Sequence, residues 1–132
     1  MNEEPIWISE HAVYAIHRKQ IAEHGGKDGV CDFKLLKSAL DRPKNVFHYT
    51  NPRPDIVRMA SCYAFGIIKN HPFNDGNKRT GYVVCLTFLN INGFDIKASL
   101  QYKYNIFMKL ASATISEIEF ADSLRSISEK LS

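Results

Sequence analysis

The sequence has no apolar run long enough to cross a membrane and too few cysteines for a disulfide framework. Its longest apolar run, YVVCLTFL, is far shorter than the roughly 20 residues of a membrane-spanning helix. Cys31, Cys62 and Cys85 are widely spaced and include no C-x-x-C pair, which argues against both a disulfide framework and a zinc site. The first residues, MNEEPIWISE, are acidic where a signal peptide is basic. We therefore expect a soluble cytoplasmic protein with buried free thiols and no membrane segment.

The chain also lacks internal repeats, low-complexity segments and blocks of like charge. Its 17 lysines and arginines exceed its 14 aspartates and glutamates by only 3, and they are scattered along the chain. Such mild basicity favours an anionic ligand but is too diffuse to indicate a nucleic-acid-binding protein. A length of 132 residues, 45% of them hydrophobic, is enough for one core. The sequence therefore predicts a single domain spanning residues 1–132, with no direct contact to nucleic acid.

Capping residues and prolines divide the first half of the chain into helices. Ser9 is a good N-cap for a first helix, and Asp32 is a good N-cap for a second one that we expect Pro43 to close. Residues 46–49 tolerate a strand and lie between breaking residues, which predicts an extended loop or a short hairpin arm. A third helix, with apolar residues three and four apart, is predicted to begin at Pro54.

Capping residues also mark the helices predicted in the second half of the chain. Residues 80–94, TGYVVCLTFLNINGF, are apolar on nearly all sides, as expected of a central helix surrounded by others. Ser99 can start the next helix, and Ser116 with Glu119 forms a capping box ahead of a last helix whose apolar positions reach Leu131. About six helices and hardly any sheet predict an all-α fold, a compact helical bundle.

The segment HPFNDGNKR, residues 71–79, links the third predicted helix to the central one. A helix N-terminus presents unpaired N–H groups and partial positive charge, which together bind anions. Gly76 has no side chain, so a phosphate can approach the backbone closely. Asn77, Lys78 and Arg79 add an amide and two cations next to it. The segment is therefore a candidate phosphate-binding site.

Other side chains in and beside this segment suit phosphoryl chemistry. Asp75 offers a carboxylate oxygen of the kind that binds Mg²⁺ when a nucleotide supplies the remaining ligands. His71 has an imidazole that can accept the proton of an attacking hydroxyl. Phe73 can anchor the loop in the core, and Lys69 is a further candidate for contact with phosphate or substrate. Together these groups cover what phosphoryl transfer requires.

Each of these residues also has a purely structural interpretation. Asp75 is a possible N-cap of the following helix, Gly76 is a possible turn residue, and His71 is a possible hydrogen-bonded residue at a helix end. Lys78 and Arg79 are compatible with a solvated face. A structural cap needs only one of these groups, so their joint occurrence favours a functional site. The remaining histidines are not clustered with His71, and we expect surface or local-capping roles for them: His11, His17, His24 and His48.

The segment HPFNDGNKRT resembles the signature of the Fic/Doc superfamily, H-x-F-x-[DE]-G-N-G-R-x-x-R. It is most similar to the death-on-curing (Doc) branch, the toxins of bacterial toxin–antitoxin pairs. The flanking segments HGGKDGVCD, SALDRPKNVF and YAFGIIKNHPF also resemble that branch, so the resemblance covers roughly residues 9–95. It implies a Fic/Doc-like helical domain.

The resemblance implies a role for each matching residue. His71 corresponds to the family's base for the substrate hydroxyl, Phe73 to a buried anchor, and Asp75 to the acidic metal-binding residue. The family's phosphate-binding loop corresponds to three residues of this chain: Gly76, Asn77 and Arg79. ATP is the implied co-substrate and Mg²⁺ the implied metal ion.

Two positions depart from the nucleotidyl-transferring Fic pattern. Lys78 replaces the second glycine of the signature, and Tyr82 replaces its second arginine. Lys78 adds bulk and a point charge, and the loss of an arginine removes a bidentate phosphate clamp. In the Doc branch, which shares this lysine, the γ-phosphate of ATP is transferred to a threonine of elongation factor Tu. The resemblance therefore implies a protein kinase that acts on a translation factor.

The resemblance also implies a partner, and it leaves alternative functions open. Doc toxins are neutralised by an antitoxin whose helix docks in a groove near the active site. Apolar residues exposed on an early helix, near Tyr14 or Ile21, are candidates for that groove. The alternatives are an AMP-transferring Fic enzyme and a non-catalytic module that only binds an antitoxin. A nucleic-acid binder or nuclease is less consistent with the sequence, which has neither a basic stripe nor paired metal carboxylates.

Overall fold

Residues 3–131, the part of the chain that the computed structural model describes, form six α-helices and two short strands. In chain order these elements are α1 (Glu10–His24), α2 (Phe33–Tyr49), α3 (Ile56–Asn70), α4 (Asn77–Ile91), β1 (Phe94–Ile96), α5 (Leu100–Ala111), α6 (Glu117–Ser126) and β2 (Ser128–Lys130). The predicted helical fold is confirmed. Residues 1, 2 and 132 of the predicted single domain lie outside the described residues.

Five of the six helices in residues 3–131 begin where a capping side chain satisfies a first-turn N–H group, and α4 is the exception. Ser9 accepts a hydrogen bond from the Ala12 N–H at 3.1 Å, and Asp32 accepts one from the Lys34 N–H at 2.9 Å. The predicted cap of α5 and the predicted capping box of α6 are also present. The cap of α3 is Asp55, so Pro54 lies just outside the helix that it was predicted to begin. These starts depend on a few neighbouring residues, which is why they can be predicted from sequence.

Pro43 lies inside α2 and does not close it, contrary to the prediction. A proline in a helix interior costs about 3 kcal/mol because it removes a hydrogen bond and crowds the preceding turn. Here Pro43 belongs to a buried stripe with Leu40 and Phe47. Fully burying one large apolar side chain contributes about 1.5 to 3 kcal/mol, which offsets that cost. The helix therefore continues to Tyr49, and residues 46–49 are helical, not extended.

The helices α3 and α4 occupy the centre of the fold. The first packs against α2, α4 and α6, and the second contacts α1, α3, α5 and β1, as predicted for a central helix. Two glycines permit the closest approaches. A Cβ atom on Gly66 would lie 3.3 Å from the backbone of Ala39 in α2, and one on Gly81 would lie 3.0 Å from the side chain of Ile68 in α3. This close packing fixes both ends of the loop at residues 71–76.

The last described residues form a strand and do not extend α6. This helix ends at Ser126, and Ser128–Lys130 pairs antiparallel with Phe94–Ile96. The Leu131 N–H donates to the Gly93 carbonyl at 2.7 Å. The predicted continuation of the helix to Leu131 is therefore wrong. The physical reason is that the pairing joins segments far apart in the chain, which local periodicity does not report.

A cluster of charged side chains ties α6 to the helical core. Glu117 accepts hydrogen bonds from Arg42 at 2.6 Å and from Arg58 at 2.7 Å, and its side chain is only 11% exposed. Burial by itself would raise the pKa of Glu117, but the hydrogen bonds from the two arginines outweigh burial and lower this pKa. The hydrogen bond to Glu117 in turn raises the pKa of Arg42. The carboxylate is therefore charged and paired at neutral pH.

Two of the three cysteines are buried as predicted, and one is not. Burial raises the pKa of the Cys62 thiol to about 12, and it also raises the pKa of Cys85. Cys31 is exposed, which corrects the prediction. It follows Val30, which forms an antiparallel bridge with Phe73, and successive residues of an extended segment point to opposite sides. Within residues 3–131, no helix is long and apolar enough to cross a membrane.

Candidate active site

The loop between α3 and α4 turns sharply because two of its residues have a left-handed backbone. His71, with φ 53° and ψ 53°, ends α3, and its N–H donates to the Ile67 carbonyl at 3.1 Å. Gly76, with φ 76°, is the N-cap of α4. A glycine adopts this conformation freely, whereas it costs a residue with a Cβ atom roughly 1–2 kcal/mol. Such strain at a non-glycine residue is frequent at active sites.

Asn77 holds the loop together from inside. Its Oδ1 accepts a hydrogen bond from the Phe73 N–H at 2.9 Å, and its Nδ2 donates to the Phe73 carbonyl at 2.9 Å. Asn77 is 3% exposed and Phe73 is 1% exposed. The amide side chain is thus committed to the loop. What Asn77 offers to an anion is its main-chain N–H group in the first turn of α4.

The same amide sets the protonation pattern of His71. Nδ1 of His71 lies 3.1 Å from Nδ2 of Asn77. Because an amide nitrogen can only donate, Nδ1 is the acceptor and the proton of the neutral ring lies on Nε2. The orientation of the amide is itself fixed by its two hydrogen bonds to Phe73. The ring can therefore take a proton from a hydroxyl only after its Nδ1 has separated from Asn77.

Asp75 is held from two sides and does not cap α4. Its Oδ2 accepts a hydrogen bond from the Lys27 N–H at 2.6 Å, and its carbonyl oxygen lies 2.8 Å from Nε2 of His17. Since Gly76 is the N-cap, the alternative interpretation of Asp75 as a cap is wrong. The residue is exposed, and within residues 3–131 its Oδ1 accepts no hydrogen bond. One carboxylate oxygen is therefore left for a cation.

Two exposed cations flank the first turn of α4. Lys78 and Arg79 lie on α4 and face a cleft, and neither forms an ion pair with any described residue. The Thr80 N–H donates to the Gly76 carbonyl at 2.9 Å, so the helical hydrogen bonds begin there. The N–H groups before it have no partner within the helix. Lys69 is also exposed, but it is not among the residues that line this cleft.

The cleft has a volume of about 850 Å³, within the range of ordinary small-molecule sites. Its polar side is formed by the loop and the start of α4: His71, Asp75, Gly76, Asn77, Lys78 and Arg79. The other side consists of residues of α1, α3, α4 and α5 that sequence reasoning did not assign to the site: Gln20, His24, Ile68, Tyr82, Val83, Leu100, Tyr104, Phe107 and Met108. Only the tertiary packing brings this largely apolar side to the loop.

His17 is the clearest departure from the sequence prediction. It was expected at the surface or in a local cap, but it is 2% exposed. Its ring stacks on Phe73 with centroids 3.8 Å apart and planes 10° apart. A signal was present in the sequence, because His17 is spaced with Val13 and Gln20 on the buried stripe of α1. His24 is exposed, as predicted, and it also lines the cleft.

The donor set fits a divalent cation only if another molecule supplies most of the ligands. Among residues 3–131, no group of three or more His, Cys, Asp and Glu side chains could hold a metal ion. A single carboxylate beside free N–H groups and two cations is the arrangement in which Mg²⁺ binds together with nucleotide phosphates. The residues present therefore fit a nucleotide–Mg²⁺ complex better than a metal ion held by the protein alone.

Comparisons with known proteins agree on one family. The Fic/DOC family profile matches residues 7–89. The toxin Doc of Mycolicibacterium smegmatis is 35% identical over 74 residues, which cover 56% of this chain and 57% of that protein. The protein kinase doc of Escherichia phage P1 is 29% identical over 118 residues, which cover 89% of this chain and 92% of that protein. The chain therefore belongs to the Fic/Doc family, and both relatives support the Doc branch.

Proposed function

We propose that the protein is a Doc-type toxin that transfers the γ-phosphate of ATP to a hydroxyl of a translation factor of the elongation factor Tu class. The observation that carries the proposal is the convergence of His71, Asp75, Lys78 and Arg79 on one cleft at the start of α4. The name of the relative from Escherichia phage P1, a protein kinase, supports the same reaction class. The setting of the reaction would be the cytoplasm, where ATP and translation factors occur.

The phosphates would bind at the N-terminus of α4. The free N–H groups of Asn77, Lys78 and Arg79 and the partial positive charge of the helix end attract an anion there. The side chains of Lys78 and Arg79 add two full charges that no described carboxylate neutralises. Gly76 leaves the backbone open to close approach. These groups would hold the phosphates and stabilise the charge that develops during transfer.

Asp75 would hold the magnesium ion together with the nucleotide. Its Oδ2 is fixed by the Lys27 N–H, which orients the carboxylate and leaves Oδ1 as the ligand. When bound, Mg²⁺ would neutralise phosphate charge and orient the γ-phosphate. The chain's own contribution is a carboxylate whose direction is set before the nucleotide arrives.

His71 would act as the base for the acceptor hydroxyl. It lies directly before the phosphate-binding loop and is exposed to the cleft. Since Nδ1 accepts a hydrogen bond from Asn77 in the described conformation, the base role requires that this contact be broken when the substrate binds. The freed Nδ1 lone pair, in a ring that has turned about its side-chain bond, would then take the hydroxyl proton as the hydroxyl oxygen attacks the γ-phosphorus and the bond from that phosphorus to the ADP leaving group breaks.

The cleft supports transfer of the γ-phosphate over transfer of AMP. Tyr82, at the position of the second signature arginine, packs its ring on Phe107 with centroids 4.6 Å apart. Arg79 is therefore the one arginine among the described residues lining the cleft. A single guanidinium and a lysine at position 78 would hold the phosphates differently from a pair of bidentate arginines. AMP transfer remains the alternative because the rest of the signature is kept.

An antitoxin is the proposed regulatory partner. Tyr14 and Ile21, the residues predicted for its groove, are only half-buried, and Ile21 packs beneath the loop, 3.3 Å from the position of a Cβ atom on Gly76. The strongly exposed apolar side chains at the cleft are Leu100 and Tyr104 of α5. We therefore place the proposed docking of an antitoxin helix at the α5 side of the cleft.

The test uses ATP that is labelled at either the α- or the γ-phosphate. Purified protein is incubated with Mg²⁺ and bacterial elongation factor Tu, and the label on the factor is measured. We expect γ-label on the factor and none with His71→Ala. Label from the α-phosphate would replace the proposal by AMP transfer. No label of either kind, together with growth inhibition that survives His71→Ala, would favour the non-catalytic module.

A further inference from the structure

One buried histidine outside the signature contacts the site loop at three successive points. His17 belongs to α1, and its side chain is 3% exposed. We propose that His17 is a positioning residue, which fixes the peptide between Asp75 and Gly76 and so aims both the metal-binding carboxylate and the phosphate-binding N–H groups. The catalytic part of this inference rests on the proposed function. The effect of His17 on the conformation of the loop can be tested without any reaction.

The three contacts hold the loop over its length. The ring of His17 stacks on Phe73 at a centroid distance of 3.8 Å. Its Nε2 lies 2.8 Å from the carbonyl oxygen of Asp75. The same ring borders Gly76 so closely that a Cβ atom there would lie 3.8 Å from Nε2. His17 thus contacts Phe73, Asp75 and Gly76, three residues of the loop.

The hydrogen bond to Asp75 assigns one proton of the His17 ring. A carbonyl oxygen can only accept, so Nε2 of His17 is the donor and carries hydrogen. The other ring nitrogen, Nδ1, lies 3.5 Å from Oδ1 of Asp28. The carbonyl of Asp28 in turn accepts a hydrogen bond from Nδ2 of Asn74 at 3.1 Å. The histidine is therefore connected to the site loop directly and through the segment that follows α1.

Fixing this carbonyl also fixes the neighbouring N–H group. A trans peptide is planar, and its C=O and N–H bonds point in opposite directions. Because the Asp75 carbonyl points toward the buried ring of His17, the Gly76 N–H points away from that ring. Gly76 is one of the residues that line the cleft. The histidine therefore sets the direction of the Gly76 N–H group, which directly precedes the three free N–H groups of α4.

Two substitutions separate the ring from the donor. His17→Phe keeps a flat ring for stacking on Phe73 and removes the Nε2 donor. His17→Gln places an amide donor near the position of Nε2 and removes the ring. His11→Phe is the matched control, because His11 is an exposed residue of the same helix. If His17 acts by positioning, the variant that keeps a hydrogen-bond donor, His17→Gln, should keep more activity. The variant that keeps the ring, His17→Phe, should keep more thermal stability.

The measurements are thermal melting, steady-state kinetics with ATP, and backbone amide spectra of nitrogen-labelled protein without nucleotide. We expect His17→Phe to stay folded and to lose about tenfold or more in kcat, with a change below about threefold in the KM for ATP. We expect His17→Gln to retain more of kcat than His17→Phe despite a lower melting temperature. The amide signals of Gly76 and Asn77 should move in His17→Phe and stay in place in His11→Phe.

The opposite pattern would overturn the inference. If both variants lose activity in proportion to their melting temperature, His17 is merely a core residue. The same conclusion follows if the Gly76 amide signal of His17→Phe is unchanged. Should the native protein transfer no phosphate at all, the proposed function fails, whereas the amide spectra still decide whether His17 positions the loop. Should His17→Phe not fold, the Gly76 signal of His17→Gln decides, because a retained donor predicts a signal close to that of the native protein.

Discussion

The side chain of Asn77 forms hydrogen bonds with both backbone groups of Phe73, since it accepts from the N–H and donates to the carbonyl, each at 2.9 Å. The family signature assigns Asn77 to the phosphate-binding loop, and its side chain here holds that loop closed. Both groups are buried, so each unpaired partner would carry a desolvation penalty. Asn77 is therefore a structural element of the active site as well as the first residue of its anion-binding helix.

This relationship predicts the effect of Asn77→Ala. The substitution leaves the buried N–H and carbonyl of Phe73 without a partner, which costs about 1–3 kcal/mol. Urea unfolding should show a loss of this size. The matched control is Asn90→Ala, because Asn90 lies exposed on the same helix. Equal stability of the two variants would show that the two hydrogen bonds between Asn77 and Phe73 contribute nothing to folding.

The contact between Asn77 and His71 predicts the tautomer of the free protein. Because Nδ1 of His71 accepts from the amide, the neutral ring should carry its proton on Nε2. Imidazole nitrogen shifts measured by NMR distinguish the two tautomers directly. Asn77→Ala should weaken the preference, since the donor is gone. A native ring protonated on Nδ1 would contradict the geometry.

Two neighbouring glycines give a matched test of Asp75. Gly25 and Gly26 have φ angles of 83° and 111°, so an alanine at either position strains the backbone. A Cβ atom on Gly26 would lie 2.9 Å from Cβ of Asp75, whereas one on Gly25 would meet nothing within 4 Å. We expect Gly26→Ala, but not Gly25→Ala, to raise the Mg²⁺ concentration needed for phosphate transfer. Indistinguishable Mg²⁺ dependences would show that Gly26 does not orient the carboxylate.

The Glu117 cluster predicts a pH-dependent stability. Its pKa in the folded protein is lowered from an ordinary value of 4.5, because the hydrogen bonds from Arg42 and Arg58 outweigh burial. A lowered pKa stabilises the fold fully above the ordinary value, and that contribution is lost as the pH falls through the folded value. Glu117→Gln should therefore cost about 1.5–3 kcal/mol at neutral pH and progressively less in acid.

Urea unfolding at several pH values checks this prediction. Glu129→Gln is the control, because Glu129 is exposed and forms no ion pair with the described residues. The difference between Glu117→Gln and the native protein should shrink below about pH 4.5, where the carboxylate of the unfolded chain begins to protonate, and it should be lost as the pH falls through the lower pKa of the folded protein. A difference that is the same in acid and at neutral pH would mean that the charge of Glu117 is not what stabilises α6.

The features that sequence predicted well depend on neighbouring residues. The caps at Ser9, Asp32, Ser99 and Ser116 each involve hydrogen bonds within one helical turn. The polar side of the cleft comes from one continuous segment, residues 71–79, so its residues are already neighbours in the sequence. Local chemistry is sufficient for both.

The features that sequence missed depend on distant packing. Pro43 remains helical because burial along α2 offsets its local cost. His17 is buried because the loop at residues 71–76 covers it; its spacing with Val13 and Gln20 is compatible with burial, but the loop that covers it is distant in the chain. The apolar side of the cleft, including Leu100 and Tyr104, exists only once α5 lies beside α4. A single sequence does not specify these contacts.

The central claim, that the N-terminus of α4 binds the phosphates of ATP with Mg²⁺ at Asp75, is tested most directly by an NMR titration of nitrogen-labelled protein. Addition of ATP with Mg²⁺ should shift the amide signals of residues 76–79 far more than those of α2 or α6. Asp75→Asn should remove the dependence of these shifts on Mg²⁺. Signals at residues 76–79 that do not respond to ATP with Mg²⁺, or that depend on Mg²⁺ in Asp75→Asn as strongly as in the native protein, would contradict the claim.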